Sequence, residues 1–120
     1  MILIIGGAYQ GKLTYAVKEY GLSEDECFDL AGGCPDKEYR CFYHLEAFLR
    51  TLPDAEEALK KLMPYIKNSI VISREVGCGI VPTDASERQY REAHGALLRA
   101  LCEKAEAVTR IFCGLKEELK

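Results

Sequence analysis

The sequence predicts an α/β fold: a parallel sheet of about five strands with helices on both faces. Three observations carry this expectation. Short runs rich in Ile and Val recur along the chain, MILII at 1–5, NSIVIS at 68–73 and AVTRIFCG at 107–114. The first two are apolar at successive positions, as suits strands buried on both sides. Stretches of helical character separate them, the alternation that builds a covered parallel sheet. The first run also leads straight into Gly6-Gly7-Ala8-Tyr9-Gln10-Gly11-Lys12, a Gly-x4-Gly-Lys string with a helix expected after it. Strand, glycine loop and helix in that order are the setting of a phosphate-binding loop, so the expected fold is P-loop NTPase-like.

Each element has its own reason. Met1–Ile5 is a continuous apolar run that stops at paired glycines. Lys12 to Tyr20 carries helix formers and ends before Gly21, a natural residue for a helix C-terminus. ECFDL and RCFY are short strand candidates on either side of the turn-rich AGGCPDK. His44 to Leu52 and Asp54 to Ile66 read as helices divided by Pro53. In the second, Ala55, Leu59, Leu62, Met63 and Ile66 share a face, and Asp54 can cap its start. After the strand at 68–73, REVGCGIVPTD is a loop, and a long helix runs from about Ala85 to Ala105 with Leu97, Leu98, Leu101 and Cys102 on its apolar side. AVTRIFCG is the last strand. No repeat, linker or low-complexity segment interrupts the 120 residues, which read as one domain, 1–120.

Bulk properties exclude several functions. The formal charge is −3, with basic and acidic residues interspersed. A nucleic-acid or anionic membrane surface needs a concentrated positive field, so neither partner is expected. No apolar run approaches a membrane span, MILII is too short for a signal segment, and the chain reads as cytoplasmic. The six cysteines contain no C-x-x-C pair and only two histidines accompany them. They read as small buried hydrophobes rather than zinc ligands. Cys34 and Cys78 fall in Gly-rich loops, with no catalytic base beside them in the sequence.

In the loop, successive backbone N–H groups from Gly6 to Leu13 would wrap the phosphates of ATP or GTP. The helix N-terminus would add its dipole and Lys12 a positive charge. The residue after the lysine is usually Ser or Thr, whose hydroxyl binds Mg²⁺; here it is Leu13. Thr14 lies about 100° further around the helix and cannot simply substitute. The loop is therefore expected to hold phosphate well and magnesium poorly.

A second constellation is SREVGCGIVPTDASERQYREAHG at 73–95. Glu75 follows a parallel strand, where α/β ligand sites form, and its carboxylate could hold a magnesium-bound water or accept a proton. Gly77 and Gly79 allow the backbone close to a ligand, and Arg88 and Arg91, three apart on a helix, could contact anionic groups. This stretch closely resembles the adenosylcobinamide kinase/adenosylcobinamide-phosphate guanylyltransferase family of cobalamin biosynthesis. That family carries S-N-E-V-G-x-G-I-V-P and then R-x-(F/Y)-R-(D/E)-x-x-G. The matches are Ser73, Glu75, Val76, Gly77, Gly79, Ile80, Val81, Pro82, Arg88, Tyr90, Arg91, Glu92 and Gly95. The tail AEAVTRIFCGLKEELK and the loop GGAYQGKL are similar to the family's as well.

The resemblance implies phosphorylation of adenosylcobinamide, with Lys12 on the phosphates and Glu75 near the metal or the acceptor, a corrinoid small molecule as substrate, and a homo-oligomer. The middle of the chain departs from it. The segment bearing the family's guanylylated histidine has no counterpart, Tyr43 or His44 stands where a magnesium-organising Asp is expected, and Arg74 replaces the Asn before the family's Glu. Guanylyltransfer is not expected, and His44 is read as a structural residue at a strand end. A nucleotide-binding or regulatory relative without turnover is the rival expectation, and an interaction module retaining only the fold is a third.

Overall fold

A computed structural model describes residues 1–7, 11–75 and 84–120. Its six strands are β1 (Ile2–Gly6), β2 (Cys27–Asp29), β3 (Cys41–Tyr43), β4 (Ile70–Arg74), β5 (Ala107–Phe112) and β6 (Leu115–Glu118), and its helices are α1 (Lys12–Tyr20), α2 (Leu45–Thr51), α3 (Ala55–Ile66) and α4 (Ala85–Lys104). The strands form one sheet in the order β2-β3-β4-β1-β5-β6. The first five run parallel, with Ile4 opposite Ile72 of β4 on one side and Thr109 of β5 on the other. The expected α/β class holds, and no helix among the described residues is long and apolar enough to cross a membrane.

The sheet is covered on both faces. One face packs Leu3, Ile5, Phe42 and Val71 against α2, α3 and α4, through residues such as Leu49, Leu62, Leu97 and Leu101. The other packs Ile4, Cys41, Ile72 and Ile111 against α1 through Ala16, Leu13 and Tyr15. This two-sided burial is why the central strands need apolar side chains at successive positions. Burial also pushes the Cys41 thiol up to about 12, so this cysteine serves as a core residue. The expected cap on α3 is present, with Asp54 Oδ1 accepting from Glu57 N at 3.1 Å.

The sixth strand is a correction to the expected sheet of about five. β5 and β6 pair antiparallel, Phe112 opposite Leu115, across a turn in which Cys113 and Gly114 have φ of 51° and 76°. Two positive φ values in succession fit the hairpin turn whose twist matches paired strands. The end of the strand is clipped down: Lys120 Nζ donates to the carbonyls of Cys102 and Glu103 at 2.8 and 3.2 Å, the last carbonyls of α4 that no helical N–H can reach.

Candidate functional site

The carboxyl ends of β1 and β4 bring Gly6, Gly7, Lys12 and Glu75 together. β1 ends at Gly6, and its glycine is required by packing: a Cβ there would lie 2.5 Å from the carbonyl oxygen of Ile111 on β5. Gly7 follows. Gly11, with φ of 80°, starts α1 from the left-handed region, where a side chain is strained. Ala8, Tyr9 and Gln10 lie outside the described residues, as do Gly77 and Gly79.

Lys12 is the first residue of α1, and its Nζ donates to the Gly7 carbonyl at 2.7 Å. The ammonium thus folds back towards the end of β1. Burial holds its pKa below the usual lysine range, opposed by the Glu46 carboxylate, assisted by Arg74 and opposed again by Glu75. Leu13 packs against the α1-side core. The residue that stands where a hydroxyl was expected is therefore part of the hydrophobic cluster and offers no oxygen to an ion.

Glu75 continues the ladder beyond β4, its N–H donating to the Gly6 carbonyl at 2.7 Å. Its carboxylate reaches across the end of β1 to Arg110 of β5, with Oε2 3.4 Å from Nε. The alignment is that of an ion pair rather than a hydrogen bond, and Arg110 Nε is buried with no hydrogen-bond partner among the described residues. Arg110 also lines an open hollow of about 300 Å³ with Phe112, Leu115, Lys116 and Glu117. Arg88 and Arg91 stand in the first half of α4, Arg88 exposed and Arg91 half-buried.

Three contributors escaped the sequence reading. Glu46, in the first turn of α2, accepts from the Arg74 N–H through Oε1 at 2.8 Å. It takes the ladder position that β3 vacates by ending at Tyr43, and its own carbonyl accepts from the Tyr90 hydroxyl of α4 at 2.9 Å. In sequence it is indistinguishable from an acid placed to suit the helix dipole. Arg110 left a signal, a charge inside an apolar strand. The third is His94, fully buried on α4, with Nε2 2.9 Å from Ser73 Oγ. The Ser73 hydroxyl also donates to the Arg74 carbonyl at 3.1 Å, which leaves its oxygen able to accept from His94 Nε2–H. Burial holds His94 below its ordinary pKa, opposed by Glu46 and assisted by Arg74.

Chemically, the edge offers a helix N-terminus, a lysine turned towards the end of β1, and carboxylates and guanidinium groups beside it. Such an arrangement can hold an anion and orient a second group next to it. A comparison with protein families matches residues 41–119 to cobinamide kinase / cobinamide phosphate guanyltransferase, leaving the Gly6–Lys12 loop before the matched stretch. No curated protein matches the chain.

Proposed function

The chain belongs to the cobinamide kinase / cobinamide phosphate guanyltransferase family, and from that premise we propose that it binds ATP or GTP through Gly6–Lys12 and phosphorylates the hydroxyl of adenosylcobinamide. The observation that carries the reading is Lys12 Nζ lying 2.7 Å from the Gly7 carbonyl: the cation is turned towards the end of β1, beside the start of α1. The N–H groups at the start of α1 and the Lys12 ammonium would neutralise the β- and γ-phosphates, most of what phosphoryl transfer asks of a protein. Glu75, beside them at the end of β4, faces the transferring group, and Arg110 holds its carboxylate in place. Arg88, Arg91 and the glycines Gly77 and Gly79 are assigned to the acceptor side.

Mg²⁺ enters this reading as part of the nucleotide substrate. Leu13 is packed into the core, and no group of three or more His, Cys, Asp or Glu among the described residues is arranged to hold an ion by itself. Ions of this kind are commonly held by one or two carboxylates plus the substrate's phosphates, and Glu75 is the carboxylate that would meet it. Guanylyl transfer is assigned to no residue and is taken as lost.

Leu13 favours a second reading, a relative that binds nucleotide without turnover. Thermal unfolding with ATP or GTP, each with and without Mg²⁺, followed by turnover with adenosylcobinamide, separates the two. The kinase reading expects a nucleotide-dependent rise in Tm that grows with Mg²⁺ and disappears in Lys12→Ala, and turnover that Glu75→Gln abolishes. Binding indifferent to Mg²⁺, without turnover, establishes the second reading. No shift with either nucleotide refutes both.

A further inference from the structure

The same carboxyl edge carries a His–Asp pair that the reading above leaves unused. His44 follows β3 and Asp29 ends β2, and the parallel pairing of these strands brings them together across fourteen intervening residues. His44 Nδ1 lies 2.9 Å from Asp29 Oδ1. The same oxygen accepts from the Ala31 N–H at 2.9 Å, so the carboxylate is anchored from its own chain. A carboxylate can only accept, so Nδ1 carries the hydrogen and the ring's basic lone pair belongs to Nε2. The imidazole is half exposed, at 52%. Its backbone has φ of 61°, one of two positive values among the described non-glycine residues. Asn adopts this conformation more readily than most residues, so backbone geometry alone does not call for histidine.

We propose that His44, oriented by Asp29, is the general base for the acceptor hydroxyl, an inference that rests on the phosphotransferase reading. Only β4 separates β3 from β1, two inter-strand spacings or about 10 Å. A γ-phosphoryl group extending from the loop, with an acceptor oxygen in near-attack contact and a base within hydrogen-bond reach of that oxygen, spans a gap of this size. In the step, the acceptor's O–H proton passes to Nε2 as its oxygen bonds to the γ-phosphorus. The bond from that phosphorus to the β–γ bridging oxygen breaks, and the nucleoside diphosphate leaves with the electron pair. The imidazolium then returns its proton to solvent. Neutral histidine oriented by a carboxylate is the form this step requires.

The test compares the full chain with His44→Asn, which keeps the backbone conformation, and with Asp29→Asn, which leaves His44 and its backbone intact. Each is assayed for turnover of ATP or GTP with adenosylcobinamide across pH, and for the nucleotide-dependent rise in Tm. The expected result is a kcat lower by about 10²–10⁴ in His44→Asn, loss of the fall in kcat towards acid, and an unchanged nucleotide shift. A smaller kcat loss is expected in Asp29→Asn, where an amide no longer dictates the tautomer. If the parent chain turns over and both variants keep its kcat and pH profile, His44 is not the base although the kinase reading stands. If the parent chain binds nucleotide and turns nothing over, both inferences fall together. If His44→Asn does not fold, Asp29→Asn decides by the same criteria.

Discussion

The carboxyl edge of the sheet holds polar groups in two different ways. At the centre, around β1, β4 and β5, they are fixed by burial and by the backbone: Ser73 and His94 are bonded inside the core, and Glu75 is set by a ladder hydrogen bond to Gly6. At the flank, β2 and β3 are three residues each; Cys41 and Phe42 anchor β3 in the core, but the polar groups there are held by side chains at the surface. His44 meets Asp29, and Arg40 ties Glu26 to the end of α1. Exposed pairs of this kind are weak and screened by salt. The comparison teaches that the polar groups at the centre are preorganised by the fold, whereas those at the flank are free to adjust.

The largest expected effect breaks the centre. Gly6→Ala would put a methyl carbon 2.5 Å from the Ile111 carbonyl oxygen, and because both partners are backbone, β1 and β5 must separate. Overpacking of this kind costs about 1–3 kcal/mol. Chemical denaturation should show that loss, and any nucleotide-dependent rise in Tm should shrink with it, because Gly6 sets the position of the loop. A variant as stable as the parent would mean that β1 and β5 are not closely held at this point.

The same contrast governs what the sequence disclosed. β1 and β4 were legible because burial on both faces demands apolar side chains at successive positions, a local signal. β6 was not: LKEELK is composed of helix formers, and only the Cys113-Gly114 turn and the Lys120 clip make it a strand. Lys12 and Glu75 were legible because each adjoins a strand end within a motif. Glu46, and the joining of His44 to Asp29, were not, because each needs the register between strands far apart in sequence. Leu13 was legible as a missing hydroxyl, but its packing role emerges only with the α1 face assembled.

A smaller effect probes the brace between β4 and α4. Ser73→Ala removes the hydroxyl that faces His94 Nε2, leaving a buried donor unpaired, at a cost of about 1–2 kcal/mol. His94 also gives a pH signature. Its folded pKa lies below the ordinary value of about 6.5, so between the two the unfolded chain takes up a proton that the native chain refuses. Stability should therefore be unaffected by this group above about pH 6.5 and fall as pH drops below it. The slope is at most about 1.4 kcal/mol per pH unit. Urea midpoints at pH 7.5 and 5.5 should fall further for the parent chain than for His94→Gln. Equal losses would assign the acid sensitivity to groups other than His94.

The smallest global effect, and the sharpest test of the contrast, lies at the flank. Arg40 donates to Glu26 Oε2 and to the Tyr20 carbonyl, both at 3.0 Å, and its own carbonyl accepts from the Ile70 N–H at 2.9 Å. Arg40→Met keeps that backbone bond and the length of the side chain while deleting both guanidinium contacts. Because Arg40 is exposed, water replaces them readily, and the global unfolding midpoint should scarcely move. The local consequence should be larger, since among the described residues β2 pairs only with β3. Amide hydrogen exchange should quicken over Cys27–Asp29 and leave Leu3–Ile5 unchanged, the signature of a flank that opens independently of the centre. Equal acceleration in both segments would mean that the sheet opens as one unit, and the adjustable flank would have no physical basis.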